Sequence, residues 1–451
     1  MSKIEQFKLT IRFSSTFILC AVLSFVYYWV WNNVYNPEFE NAFRNQGKMF
    51  LVAVYFLVLL VTSIALGASK VDKFRKSEII FYQILAAIFA NCIAYAQICL
   101  LEAVLANVFG MLYILLIQAV VIVAWTLVAT EIIRRLNPPE EMLIIYGSHL
   151  ATEIVYKMSE MEERYKINES INVDAGFDEI KEKIDKFRSV IICDVPARMR
   201  NDVLKYCYQE NKSIYIVPKI SDIIVRSSSE ITYFDSPIIH AHSQGLTIEQ
   251  RAVKRLMDIV LSLIALILFS PLFIIIALTI KLYDGGPVFY KQKRATKDMR
   301  VFDILKFRSM IVDAEKDGPK PATNNDSRIT PVGKVIRALR VDELPQILNI
   351  LKGDMSIVGP RPERVEHVEK YSKEIPEFSC RYKVRGGLTG YAQVFGKYNT
   401  SAYNKLKMDL MYIQKYSLAL DIKLIIMTVK ILFKKDSTEG FKEKKGKSAD
   451  K

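Results

Sequence analysis

The chain has 451 residues, of which 51% are hydrophobic and 24% charged, with a formal net charge of +14. That length allows two or three domains, and with a mean hydropathy of +0.16 the chain is too apolar for an ordinary soluble protein. The basic balance suits an anionic membrane face or phosphorylated substrates, whereas no basic patch interleaved with aromatics supports nucleic-acid binding. Six cysteines, Cys20, Cys92, Cys99, Cys193, Cys207 and Cys380, lie far apart with no CxxC pair. They imply neither a disulfide framework nor a zinc site and read as small buried hydrophobes.

Four apolar runs open the chain, about Phe13–Trp31, Met49–Ala68, Ile79–Leu101 and Ala103–Ile132. Each approaches the ~20 residues that cross a bilayer. The first has no small-residue cleavage site after it, and Trp29 and Trp31 suit interface anchors, so it is no cleavable signal. Lys3, Lys8 and Arg12 precede it, Lys70, Lys73, Arg75 and Lys76 lie between runs two and three, and Arg134 and Arg135 follow run four. The opposite loops are poor in Lys and Arg apart from Arg44 and Lys48, so the N-terminus and everything after Arg135 are expected in the cytoplasm.

Asn137-Pro138-Pro139 marks a boundary. Short apolar runs at Met142–Tyr146, Ser189–Asp194 and Ser213–Pro218 then alternate with polar helical stretches, the pattern of a small open parallel sheet. Gly147 follows the first strand, but the run reads GSHLATE, without a GxGxxG fingerprint. This Rossmann-like module is expected over residues 137–250, after four transmembrane helices in 1–136. His240 and His242 share a strand face with no third ligand for zinc.

Leu256–Ile280 is long enough to span. Two features favour a re-entrant helix instead. Lys254, Arg255 and Lys281 flank both ends, so both ends belong on one side. Ser270-Pro271 sits mid-run; proline removes one helix hydrogen bond and kinks the helix, and the Ser270 hydroxyl can bond a freed carbonyl in lipid. A fifth span would carry everything downstream across the membrane.

Downstream, Asp342 and Glu343 stand side by side, followed by Pro345 and, further on, by the stiff Pro360-Arg361-Pro362 turn, with Arg337 and Lys352 nearby. Adjacent carboxylates among cations suit chemistry on a metal-bound phosphate. They equally suit the first turn of a capped helix, where acidic residues are favoured. Leu344, Ile347, Leu348 and Leu351 recur at helical spacing as a core face.

The wider window carries five ordered motifs: KFRSM (Lys306–Met310), DSRITPVGKVIR (Asp326–Arg337), VDELPQ (Val341–Gln346), GDMSIVGPRPE (Gly353–Glu363) and GGLTGYAQV (Gly386–Val394). From about Lys254 to Phe433 the chain resembles the bacterial sugar transferases, the monotopic phosphoglycosyl transferases. It resembles most their long form, the polyprenyl-phosphate hexose-1-phosphate transferases of capsule and exopolysaccharide synthesis. The fold this implies is a membrane α/β protein: a four-helix transmembrane bundle, a Rossmann-like cytoplasmic module, a phosphoglycosyl transferase domain over 251–435 with a re-entrant helix at 256–280 broken at Ser270-Pro271, and a basic tail over 436–451 read as disordered. The resemblance implies transfer of a hexose-1-phosphate from a UDP-sugar to undecaprenyl phosphate with release of UMP, on the cytoplasmic face of a bacterial inner membrane. It makes Asp342 the nucleophile of a covalent phosphosugar intermediate and Glu343 a ligand of Mg²⁺. Arg361 would contact the nucleotide sugar and Arg337 a phosphate, with Lys306, Arg308 and Gln346 at the substrate site. The expected partners are the UDP-sugar, undecaprenyl phosphate and the lipid bilayer, with a homodimer allowed.

Two departures from the family pattern stand out. Gln292 and Arg294 fit a Q-x-R turn, but Thr296 and Met299 follow where the family has glycines. Arg340-Val341 replaces the commoner Ser-Leu before the acidic pair. Gly386, Gly387, Gly390 and Gly396 allow close turns near a ligand, and Tyr416–Phe433, broken by Asp421, Lys423 and Lys430, reads as an interfacial helix. A non-catalytic membrane scaffold would keep such a fold but need no Asp342-Glu343 pair. Which sugar is carried is not legible, because glucose and galactose differ in one hydroxyl orientation.

Overall fold

The computed structural model describes residues 8–38, 43–71, 74–136, 138–147, 150–159, 164–233, 235–241, 245–312, 314, 326–397 and 400–432. Lys3, Lys73, Asn137, His242, Phe433 and the tail over 436–451 lie outside them. The chain divides into two compact units, Met1–Val217 and Pro218–Lys451.

In the first unit, the apolar runs form helices α1 (Lys8–Val30), α2 (Asn45–Leu66), α3 (Lys76–Glu102) and α4 (Val108–Leu136). Each packs on two of the others: α1 on α2 and α4, α3 on α2 and α4. Their interior is not wholly apolar. Tyr55 Oη donates to Asn91 Oδ1 (2.7 Å), Asn91 Nδ2 to Gln118 Oε1 (3.0 Å), and Gln118 Nε2 to Tyr55 Oη (2.8 Å) and the Leu23 carbonyl (3.3 Å). One closed polar ring thus touches all four helices and satisfies side chains that would be costly alone in an apolar interior.

The same unit holds a parallel sheet of strands β1 (Glu140–Tyr146), β2 (Tyr165–Asn172), β3 (Ser189–Cys193) and β4 (Ser213–Ile216), in the order β2-β1-β3-β4. Helices α5 (Leu150–Ser159), α6 (Phe177–Lys186) and α7 (Ala197–Gln209) connect them. Alternation sorts the strands: Leu143, Ile145, Val190 and Ile192 pack with Ile180, Ile184 and Val203 on one face, and Met142, Ile144 and Ile191 face the other way. Three strands coincide with the expected runs. The edge strand β2, YKINESIN, was not expected, because only Ile171 in it is fully buried.

The expected module boundary at residue 250 is corrected. Helix α8 (Ile220–Arg226) belongs to the second unit, where Ile220 and Ile223 are buried with Leu406, Leu410 and Ile413. The hairpin of β5 (Ser229–Tyr233) and β6 (Ser236–His240) goes with it. Next comes α9 (Ile248–Asp284), started by a capping box of Thr247 and Gln250. Pro271 lies inside it, and Ser270 Oγ donates to the Ile267 carbonyl at 2.8 Å. That carbonyl, four residues before the proline, is the one left without its helical N–H.

Both ends of α9 are tied to the rest of the second unit. Lys254 Nζ meets Asp421 Oδ2 at 2.5 Å, Arg255 donates to the carbonyls of Ile350 (2.5 Å) and Leu351 (2.7 Å), and Asp258 Oδ1 accepts from Ile357 N. At the far end, Ile276 and Ile280 pack with Phe307 and Ile336, and Asp284 pairs with Arg308. The middle is bare: Ile264, Ile267, Leu268 and Ile274 are 55–75% exposed.

The rest of the unit comprises the antiparallel pair β7 (Phe289–Ala295) and β8 (Val301–Phe307), α10 (Pro331–Ala338), α11 (Gln346–Lys352), β9 (Ser356–Val358), α12 (Val365–Glu374), β10 (Gly387–Thr389, parallel to β9), α13 (Tyr391–Phe395), α14 (Ala402–Gln414) and α15 (Leu418–Leu432). The core face of α11 is Ile347 and Ile350 with Gln346 and Asn349, not the expected Leu348 and Leu351, which are half-buried. In α15, Asp421 is 0% exposed; the charge that interrupts the apolar run is a core residue bonded by Lys254 and Tyr412.

Candidate active site

Strand alternation builds one wall. Tyr290, Gln292 and Arg294 share a face of β7, with Lys291 and Lys293 on the other. Across the hairpin, Tyr290 pairs with Lys306 and Gln292 with Ile304. Arg294 is aimed by its neighbours: its Nε donates to Gln292 Oε1 at 3.0 Å and one terminal nitrogen to the Pro362 carbonyl at 3.1 Å. The turn after β7 takes a glycine-type backbone without glycine, since Asp298 and Met299 hold φ of 56° and 61°, a left-handed conformation that is uncommon outside glycine.

The acidic pair sits in a short 3₁₀ helix, Val341–Glu343, entered through Arg340 at φ 55° and followed by Pro345. Glu343 Oε1 accepts from Lys306 Nζ at 2.7 Å and from the Arg361 guanidinium at 2.9 Å.

The third wall is the Pro360–Glu363 turn. Its four consecutive carbonyls are each engaged: Pro360 by Gly387 N (2.9 Å), Arg361 by Arg381 (3.0 Å), Pro362 by Arg294 (3.1 Å) and Glu363 by Ala295 N (3.0 Å). Gly387 is required there, because a Cβ would stand 2.1 Å from Gly359 N. Between these walls lies a small pocket lined by Arg294, Ile304, Lys306, Gln346, Arg361 and Gly387.

Of the expected site residues, Lys306, Glu343 and Arg361 are brought into direct contact, and Gln346 lines the pocket. Asp342 adjoins them in sequence, and Arg337, in the last turn of α10, acts on it electrostatically. Arg308 has another partner. It is 7% exposed and makes a two-pronged pair with Asp284, one contact at 2.8 Å, at the end of α9. Ser270 and Pro271 lie within α9.

Sequence reasoning gave no site role to Arg294, Arg381 or Asp409. A signal existed for Asp409: it shares the apolar face of α14 with Leu406, Leu410 and Ile413, all buried.

Residues 249–435 match the sequence model of the bacterial sugar transferases. The chain is 42% identical over 191 residues to a UDP-glucose:undecaprenyl-phosphate glucose-1-phosphate transferase of Caulobacter vibrioides, covering 41% of this chain and 71% of that protein. The chain belongs to the bacterial sugar transferase family. It is also 46% identical over 183 residues to a UDP-N-acetylgalactosamine-undecaprenyl-phosphate N-acetylgalactosaminephosphotransferase of Aeromonas hydrophila, covering 40% of this chain and 43% of that protein. A UDP-glucose:undecaprenyl-phosphate glucose-1-phosphate transferase of Klebsiella pneumoniae matches at 38% over 222 residues, 48% of either chain. The matched region thus spans less than half the length of these two relatives.

In this sugar transferase the two neighbouring carboxylates are driven apart electrostatically. Burial raises the pKa of Asp342, with the Glu343 charge adding to it and Lys306 and Arg337 opposing. Burial acts on Glu343 the same way, but Arg361 and Lys306 outweigh it and hold that carboxyl well below the usual range. Burial lowers Arg294 to about 10, still a cation at neutral pH. Among the described residues no cluster of three or more His, Cys, Asp or Glu could hold a metal by itself. Mg²⁺ commonly needs only one or two carboxylates besides substrate phosphates. Ionised Glu343, whose two cation contacts both fall on Oε1, fits that requirement through Oε2.

Proposed function

We propose that this protein transfers a sugar-1-phosphate from a UDP-sugar to undecaprenyl phosphate. The observation that carries this reading is the Asp342-Glu343 pair, set against Lys306, Arg294 and Arg361 in a chain of this family. Relatives whose names specify undecaprenyl phosphate as acceptor support it.

In this reading Arg361 and Arg294 receive the diphosphate, with the guanidinium fork suited to phosphate oxygens. An ionised Asp342 attacks the phosphorus attached to the sugar. A bond from Asp342 to phosphorus forms, the bond to the UMP oxygen breaks, and UMP leaves. The lipid phosphate then attacks the acyl phosphate and frees Asp342. Two steps let two anionic substrates react in turn without meeting. Glu343 is the proposed Mg²⁺ ligand; the ion, when bound, supplies charge neutralisation on the phosphates.

The proposed topology has α1–α4 crossing a bacterial inner membrane as a bundle, α9 entering and returning to the same face, and the site in the cytoplasm. Among the described residues, five helices are long and apolar enough to cross. Both ends of α9 are tied to one β8–α11 pair, itself joined where Asn349 bonds Leu305 N and the Asp303 carbonyl. A straight helix from Arg255 to Asp284 would separate its ends by about 44 Å. Anchorage of both ends on adjoining elements, with a bare middle, supports a bend at Pro271.

The test is a panel of UDP-sugars with undecaprenyl phosphate, scored by UMP release and lipid product. One sugar should give both; release of neither across the panel overturns the reading. EDTA should reduce the rate to background and Mg²⁺ restore it. Lys306→Met carries a pH prediction. Asp342 works as the anion, and Lys306 is the strongest of the influences that keep it ionised. Its loss raises the Asp342 pKa, so the acid limb of kcat/KM for the UDP-sugar should move to higher pH.

A further inference from the structure

We propose that Arg381, held by Asp409, is a positioning residue for Arg361. Arg381 lies in the 3₁₀ segment Pro376–Lys383, outside the pocket lining. It is 2% exposed and Asp409 1% exposed. Its guanidinium makes three contacts at once: 2.8 Å to Asp409 Oδ2, 3.0 Å to the Arg361 carbonyl and 3.6 Å to Glu363 Oε1. Its flat face lies 5.0 Å from the Phe378 ring centroid. It therefore grips the turn on both sides of Pro362, by the main chain of residue 361 and the side chain of residue 363. Arg294 holds the carbonyl between them.

A buried ion pair is weak evidence for stability, because desolvating two charges offsets most of their attraction and apolar replacements often do as well. Apolar residues cannot donate to a main-chain carbonyl and a carboxylate together. Lysine has three donors, but all on one nitrogen, without the planar fork whose two terminal nitrogens here span Asp409, the Arg361 carbonyl and Glu363. What is particular to Arg381 is thus the direction it imposes on the turn. Arg361 has fixed neighbours, Pro360 and Pro362, so shifting the main chain moves its guanidinium away from Glu343 and the pocket. Asp409 sets the Arg381 head group in turn. The effect should fall on the nucleotide-sugar side of the reaction, where Arg361 is proposed to act.

The test uses the full-length protein in lipid nanodiscs, as wild type, Arg381→Lys, Asp409→Asn and the double variant Arg381→Met/Asp409→Leu, which removes both buried charges. Folding is checked by thermal unfolding. The kinetic readout rests on the transfer reaction proposed above; the second readout, hydrogen–deuterium exchange at the amides of Arg361, Glu363, Ala295 and Gly387, does not. In the folded variants, KM for the UDP-sugar should rise at least tenfold with KM for undecaprenyl phosphate unchanged, and those four amides should exchange at least tenfold faster while α11 does not. Wild-type exchange at these amides in any folded variant overturns the proposal, as does an unchanged KM for the UDP-sugar. Should wild type release no UMP from any UDP-sugar, the proposed function fails and the exchange rates alone decide the role of Arg381.

Discussion

Asp342→Asn will reduce UMP release by at least ~10³-fold, the scale expected when a covalent nucleophile is removed. The amide is close to isosteric, and the Val341–Glu343 turn is set by backbone: Leu344 N bonds the Val341 carbonyl at 3.2 Å, and Pro345 follows. The variant should therefore fold and keep its Lys306–Glu343–Arg361 contacts. With UDP-sugar alone, wild type should gain the mass of a phosphosugar after an acid quench, on a peptide containing Asp342, and the variant should not. Turnover of the purified variant within tenfold of wild type, or an adduct mapped to another residue, would remove Asp342 from the proposed role.

Pro271→Leu will redirect part of the population into a form with five membrane crossings. The leucine restores an N–H opposite the Ile267 carbonyl, which Ser270 Oγ now occupies at 2.8 Å. An unbroken 37-residue α9 would measure about 55 Å, against a hydrocarbon core of about 30 Å. The ties at Lys254–Asp421 and Asp284–Arg308 oppose straightening, so the outcome is a mixture. In a cysteine-free background, a cysteine placed after Tyr283 should be protected from an impermeant thiol reagent in intact cells of the wild type and labelled in the variant, with activity falling in proportion. Labelling of that position without the Pro271 change would end the proposal of a cytoplasmic site.

Much of this architecture was legible in order and pattern. The apolar runs gave α1–α4 because a bilayer-length stretch of Leu, Ile, Val and Phe has few other fates. The β1, β3 and β4 runs were visible because both faces of each strand meet hydrophobic partners or flanking helices. What escaped is where polarity is buried. The charge of Asp421 suggested an interface, yet the residue is in the core, because Lys254, 167 positions away in the chain, neutralises it. Arg308, placed at the substrate site by the resemblance, has its guanidinium paired with Asp284. Arg381 escaped for the same reason, and Asp409 showed only as a charge on the apolar face of α14: an ion pair is a property of two segments, and neither names its partner. The boundary near residue 250 failed because α8 is amphipathic and its partner, α14, lies almost two hundred residues downstream.

The four engaged carbonyls of Pro360–Glu363 divide the labour of evolving such an enzyme. A turn fastened at every residue is a poor place to explore, since any shift must break several tethers together. Relatives bear names that specify glucose, N-acetylgalactosamine or galactosyl transfer, while in the proposed reaction what a UDP-sugar offers this turn is its diphosphate. An engineer seeking a new sugar for this chain should leave the turn alone and diversify walls with fewer tethers.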